Sequence, residues 1–259
     1  MKNLLVGIIS FGLSVNAFSS SFDLSFKEWT DWLKTYAQVQ GPVTAVNYKE
    51  AFKKRAVIDR LAQQIENLDK ATYQSWDEKD QLAFLINAYN VFTVKLILDH
   101  YPVKSIKDIG SLFKSAWKQK FFKLFGEEET LDGIEHERIR KNFKEPRIHF
   151  AVVCASKGCP ALKGEAYTGK KLDEQLEESL RLFLKDTNRN RWESSKSTLF
   201  LSKIFKWYGD DFKGSAGTVQ AFVASRMGNT PEEIKKIQSS ELEFLEYDWS
   251  LNETPEKAL

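Results

Sequence analysis

Three observations predict a helix-rich α+β fold with a small sheet, built as a single domain. An apolar stretch at about 77–99 has the length of a buried central helix. Amphipathic helical stripes recur on both sides of it, and only short strand-like runs lie between them. No repeat, low-complexity tract or Gly/Pro/Ser-rich linker divides the chain. With 259 residues, 42% of them hydrophobic, the chain can bury a core without metals or staples.

The first residues predict a targeting segment rather than fold. Met1-Lys2 is followed by an apolar run from Leu4 to Val15, too short for a membrane span. Val15-Asn16-Ala17 offers a small-residue cleavage site, with Ala17-Phe18-Ser19 as an alternative. We therefore expect a signal peptide over 1–19, a globular domain over 20–252 and a short tail over 253–259. The mature protein is expected to be periplasmic or secreted, without a stable membrane span.

Val57, Leu61, Ile65 and Leu68 mark a helix within Lys49–Asp69. In the central helix Leu82, Ala83, Ile86, Tyr89, Thr93, Leu96 and Ile97 cover most of the surface, while Asn87, Asn90 and Lys95 argue for a soluble core over a membrane. Pro102 stops it, and His100 is placed to meet its last carbonyls. Lys114, Lys118, Lys120 and Lys123, interleaved with aromatics, predict an amphipathic segment with solvated lysines. Thr130 is the expected cap of a helix over Leu131–Lys141. The apolar run Ile148–Val153 predicts a strand at about 147–154 that ends in a Cys-containing loop.

Beyond it, Leu172, Leu176, Leu180, Phe183 and Leu184 form a helical stripe after Thr168. Thr198–Ser202 reads as a strand, with Ser202 capping a helix over Lys203–Phe212. Val219, Phe222, Val223 and Met227 give another helix face, and Thr230-Pro-Glu-Glu233 a capping box. Leu245, Tyr247, Trp249 and Leu251 alternate as a strand would.

These blocks resemble a known family. Ala83–Asn90, Leu131–His136, Pro146–Phe150 with Cys154 and Cys159-Pro160, Trp207–Phe212 and Tyr247–Asn252 occur in that order, spread over about Trp29 to Asn252. Together they are similar to the domain of unknown function 547 family. One departure is Leu85, where relatives are expected to carry an aromatic. The resemblance implies the block order and a single-domain fold but supplies no activity. Its intracellular members also loosen the expectation of an obligatory disulfide.

A formal net charge of +2 with interspersed signs gives no reason to expect nucleic acid. No Gly-rich phosphate loop, Gly-x-Ser-x-Gly elbow or His-Glu-x-x-His is present, and no cofactor is predicted. Cys154, Cys159, His136 and His149 have unsuitable spacing for zinc, so no metal site is predicted.

Cys154, at the expected strand end, is the candidate nucleophile, and it needs a base or positive field to become a thiolate. Strand alternation would hold His149 away from it, so His136 is the preferred base. Glu135 is a candidate orienter, although neighbouring helix positions point about 100° apart and Asp210 or Asp211 would serve equally. Asn87 and Asn90, three apart on an apolar helix, are expected to clamp an irregular loop or contact substrate, with Arg147 and His149 as further contacts. Cys154 and Cys159 can pair in an oxidising compartment.

Three functions follow. The first is a cysteine-dependent hydrolase or acyl transferase on peptide or amide substrates. The others are a non-catalytic binding or scaffold domain and a thiol–disulfide protein. The residues name no partner.

Overall fold

A computed structural model describes residues 22–111 and 114–255; the expected signal peptide lies outside them. The protein is a helix-rich α+β fold with small sheets. Helix α1 (Lys27–Tyr36) leads into a hairpin of β1 (Ala37–Gln40) and β2 (Val43–Val46). The helix expected over Lys49–Asp69 is two, α2 (Tyr48–Lys53) and α3 (Ala56–Glu66). The break at Lys54-Arg55 turns the chain so that Ala51 and Ile58 both reach the core. Helix α4 (Lys70–Ser75) precedes the central helix α5 (Glu78–Asp99).

Helix α5 starts where Asp77 accepts a bond from the Asp80 N–H at 2.9 Å, satisfying one of the orphan donors of the first turn. At its other end His100 Nδ1 lies 3.0 Å from the Leu96 carbonyl. By length and composition it could cross a membrane, yet 89% of its apolar window is buried inside the protein. All of Leu82 to Val94 is buried, so it is packed around its whole circumference.

Two short hairpins follow, β3 (Gly110–Ser111) with β4 (Lys114–Ser115), and β5 (Phe122–Leu124) with β6 (Glu127–Glu129). Thr130 Oγ1 accepts from the Gly133 N–H at 2.9 Å. The expected helix then runs as a π-helix, Gly133–Arg140. Helix α6 (Leu172–Leu184) comes next. A three-stranded sheet ordered β7 (Arg191–Glu193), β8 (Thr198–Ser202) and β9 (Glu241–Leu245) pairs antiparallel and then parallel. Between β8 and β9 lie α7 (Ile204–Trp207), α8 (Gly209–Ala216), α9 (Val219–Met227) and α10 (Pro231–Gln238). Thr230 accepts from the Glu233 N–H at 3.2 Å, and Glu233 reaches back to the Asn229 N–H at 2.7 Å.

Two strand expectations are corrected. The segment expected as a strand at 147–154 begins with a 3₁₀ turn, Pro146–Phe150, and continues as an irregular loop. Pro146 fixes φ and brings no N–H, Glu145 caps the Arg147 N–H, and the Ile148 carbonyl accepts from Ala151 and Val152. The run is apolar because it is buried on several sides, not because it belongs to a sheet. The alternating run Leu245–Leu251 is likewise not a strand. Strand β9 ends at Leu245, and beyond it the described residues pair only in isolated bridges, Leu251 to Ser156 and Glu253 to Val46.

Apolar residues form two clusters, one around α5 and one around α6, β8, α7, α8 and α9. The 3₁₀ turn straddles them, with Ile148 in the first and Phe150 in the second. Everything that matters for the site gathers at this seam.

Candidate functional site

Irregular backbone at a buried seam must be bonded somewhere, and side chains of α5 supply the bonds. Asn90 donates to the Ala151 carbonyl at 2.9 Å and accepts from the Val153 N–H at 3.0 Å. Asn87 treats a second loop the same way, donating to the Tyr167 carbonyl at 2.7 Å and accepting from its N–H at 3.0 Å. Both amides are therefore occupied by backbone. Downstream, the Lys157 and Gly158 N–H groups donate to the Ser250 and Asp248 carbonyls at 2.9 and 2.8 Å. Gly158 leaves room for the Tyr247 ring, which a Cβ there would meet at 2.8 Å. Arg189 ties down the same loop through the Cys159 carbonyl.

On this loop Cys154 and Cys159 are joined as a disulfide. Cys154 is half-buried and Cys159 buried. The Tyr247 hydroxyl lies 3.2 Å from each sulfur and accepts from Ser156 Oγ at 3.1 Å. Burial pushes the Tyr247 phenol up to about 12. Ala155, next to Cys154, sits in the left-handed region with φ 57°, a conformation a non-glycine residue adopts only under tertiary constraint.

Both cysteines line a cavity of about 490 Å³. The π-helix contributes Glu135, His136 and Arg140 to its wall, Asp132 just before it joins them, and the 3₁₀ turn contributes His149. Tyr89 of α5 and Tyr208 close the back, while Trp117, Trp207, Tyr247 and Trp249 form aromatic sides. Trp207, 44% exposed, stands at the rim.

The two π-helix neighbours part company. Glu135 is 4% exposed, and its charge adds to burial in pushing the Tyr89 and Tyr208 phenols up. His136 is partly exposed, with Nδ1 3.0 Å from Arg140 Nη1 and Nε2 3.9 Å from Asp132. Glu135 thus keeps company with His149 instead of His136.

His149 is buried and stacks on the Tyr208 ring with centroids 3.7 Å apart. Its Nε2 lies 2.7 Å from Asp211 Oδ2. Asp211 also takes two bonds from Arg140, at 2.7 and 2.8 Å. The His149 bond, aided by Arg140 and opposed by burial, holds the Asp211 carboxyl well below the usual range. Burial pushes the His149 imidazole down, against the pull of Asp211 and Glu135. A neutral ring beside an ionised acceptor donates from Nε2 and leaves a lone pair on Nδ1, the tautomer these partners assign. That nitrogen has no hydrogen-bond partner, and it lies 4.0 Å from Glu135 Oε1.

Replacing the expected strand by a 3₁₀ turn removes the alternation argument that separated His149 from Cys154, since both now line one cavity. His136 and Glu135 line it too. Arg147 does not: it bonds Glu145 and Asp173 at 2.6 Å each and lines separate surface grooves. Among the described residues no group of three or more His, Cys, Asp or Glu side chains is arranged to hold a metal ion. Sequence reasoning assigned no role to Arg140, Tyr208, Tyr247 or Trp249. The only signal for three of them was membership of the Trp207–Phe212 and Tyr247–Asn252 blocks.

The site is thus a pocket with charged side chains on one wall, an aromatic mouth and a disulfide, at the seam of a helix-rich α+β protein. Residues 73–184 match the family described as Protein of unknown function, DUF547, and the chain carries a DUF547 family domain there. That stretch holds α5, the π-helix, both cysteines and α6. Asp211 and the aromatic mouth residues Trp207, Tyr247 and Trp249 lie beyond it. No curated protein and no solved structure matches the chain.

Proposed function

We propose that this protein is a cysteine-dependent hydrolase or acyl transferase acting on amide substrates in its dithiol state. The observation that carries the reading is the His149–Asp211 pair at 2.7 Å, with an unpartnered imidazole nitrogen on a residue that lines the same cavity as Cys154. Thiol catalysis needs a nucleophile, a base and a group that orients the base. Asp211 orients the ring through Nε2, and Nδ1 is left to take the thiol proton. Cys154 is the nucleophile because it is the more exposed of the two cysteines.

Export supports the oxidised resting form, since disulfides persist outside the cytoplasm. An external dithiol reduces the bond by exchange, giving two cysteine thiols and the oxidised reductant. The Cys154 thiolate then attacks an amide carbonyl, the amine leaves with the proton, and water or a second amine releases the acyl group.

The test is iodoacetamide alkylation of the reduced protein, followed by mass spectrometry at Cys154 across pH. Cys154 is expected to react at neutral pH, and His149→Ala to slow it at least tenfold at pH 7. A Cys154 that reacts as an ordinary thiol titrating near 8.5, unaffected by His149→Ala, would overturn the reading. A thiol–disulfide role is favoured by one observation, that both cysteines line the cavity. It requires Cys159→Ala to abolish function, whereas hydrolysis requires only Cys154.

A further inference from the structure

Two acceptors at the back of the pocket, Glu135 Oε1 and His149 Nδ1, are buried without a hydrogen-bond partner and stand 4.0 Å apart. Their residues are only 4% and 2% exposed. Buried polar atoms are nearly always bonded, so a pair left open in a cavity wall calls for an explanation. The two cannot satisfy each other: with the Nε2 hydrogen given to Asp211, both free atoms carry lone pairs.

What fits between them is a donor with at least two hydrogens on one atom. A nitrogen about 2.8 Å from each acceptor would see them at an angle of roughly 90°, close to the spread of N–H bonds on an ammonium. The charges around the pocket select a cation. Glu135 and Asp132 stand in the wall, while Arg140 is engaged by both oxygens of Asp211. Trp207, Tyr247 and Trp249 add π faces, whose negative quadrupole attracts cations.

We propose that Glu135 and His149 form a subsite for a protonated primary amine when the two cysteines are disulfide-bonded. The binding does not rest on the hydrolase reading: there Nδ1 takes the thiol proton, so in the dithiol form a bound amine and the base compete for one lone pair. The ammonium donates one hydrogen to Glu135 Oε1 and one to His149 Nδ1. An α-amino terminus and a lysine-type side chain share this chemistry.

The experiment uses the disulfide form, so that no thiol chemistry is involved, at about pH 6.5 where an α-amine is protonated. The protein is titrated with L-alaninamide, Nα-acetyl-L-lysinamide and N-acetyl-L-alaninamide, followed by tryptophan fluorescence and ligand-observed NMR. At least one amine is expected to bind saturably, and the neutral acetylated amide at least tenfold more weakly. Tighter alaninamide assigns an α-amino terminus; tighter lysinamide assigns a side chain. Glu135→Gln is expected to weaken the amine at least tenfold and leave the neutral amide unchanged. Absence of saturable amine binding, equal binding of amine and neutral amide, or an unchanged amine affinity in a folded Glu135→Gln protein each overturns the subsite. Should Glu135→Gln fail to fold, the wild-type comparison of amine with neutral amide decides alone. Iodoacetamide reactivity of the reduced protein tests the hydrolase reading separately.

Discussion

At the residue scale, Asn90 and His149 determine how the cysteine loop is held and what faces it. Asn90→Ala would leave the Ala151 carbonyl and the Val153 N–H unpaired, and an unsatisfied buried group costs about 1–3 kcal/mol. The expected loss is at least about 2 kcal/mol, read by urea denaturation; a loss within noise would mean that the loop is fastened elsewhere. His149 makes stability depend on pH. Its folded imidazole is depressed by burial, so the unfolded chain takes up the proton first. Stability is therefore full above about pH 6.5 and declines as pH drops through the folded value. Asp211, depressed chiefly by the His149 bond, adds a second decline of the same sign below about pH 3.9. The urea midpoint is expected to fall between pH 7 and 5, and to fall less steeply in His149→Gln. Parallel slopes in the two proteins would contradict this account.

At the element scale, the central helix and the π-helix contrast in what local chemistry decides. Asp77 caps α5, and Asp77→Ala is expected to cost about 1 kcal/mol, measured as a lower melting temperature with unchanged near-ultraviolet circular dichroism. Loss of the near-ultraviolet signal would show that the cap also holds tertiary structure. The span and composition of α5 were legible because a continuous apolar surface is a local property. The segment 131–141 was legible as helical, with Thr130 at its start. Its π geometry was not, and that geometry accompanies an inward Glu135 and a half-exposed His136. The segment 147–154 was misread because a short apolar run looks the same whether its carbonyls face a neighbouring strand or turn back on themselves. Pro146 was visible, but Asn90, which completes the loop, lies over fifty residues away.

For the whole molecule, the disulfide closes a loop that several other contacts already hold. Such a short loop restricts the unfolded chain by about 2 kcal/mol at most. Asn90, the Ser250 and Asp248 carbonyls and Arg189 fix the same segment in the folded state. Reduction is therefore expected to lower stability by no more than about 2 kcal/mol and to leave one cooperative unfolding transition. A reduced protein without near-ultraviolet circular dichroism would show instead that the bond organises the seam, and the dithiol state could not be the working one.

The sequence by itself determined the helix-rich class, the long buried helix, the caps at Thr130 and Thr230-Glu233, and the loop worth attention. Each of these depends on neighbours within a few residues, where spacing and hydrogen-bond reach are fixed by the backbone. Only the tertiary structure decided which histidine meets a carboxylate. His149 and Asp211 are 62 positions apart, and they meet because two apolar clusters pack along a shared seam. Burial at that seam, which no local pattern encodes, is also what leaves Glu135 Oε1 and His149 Nδ1 without partners.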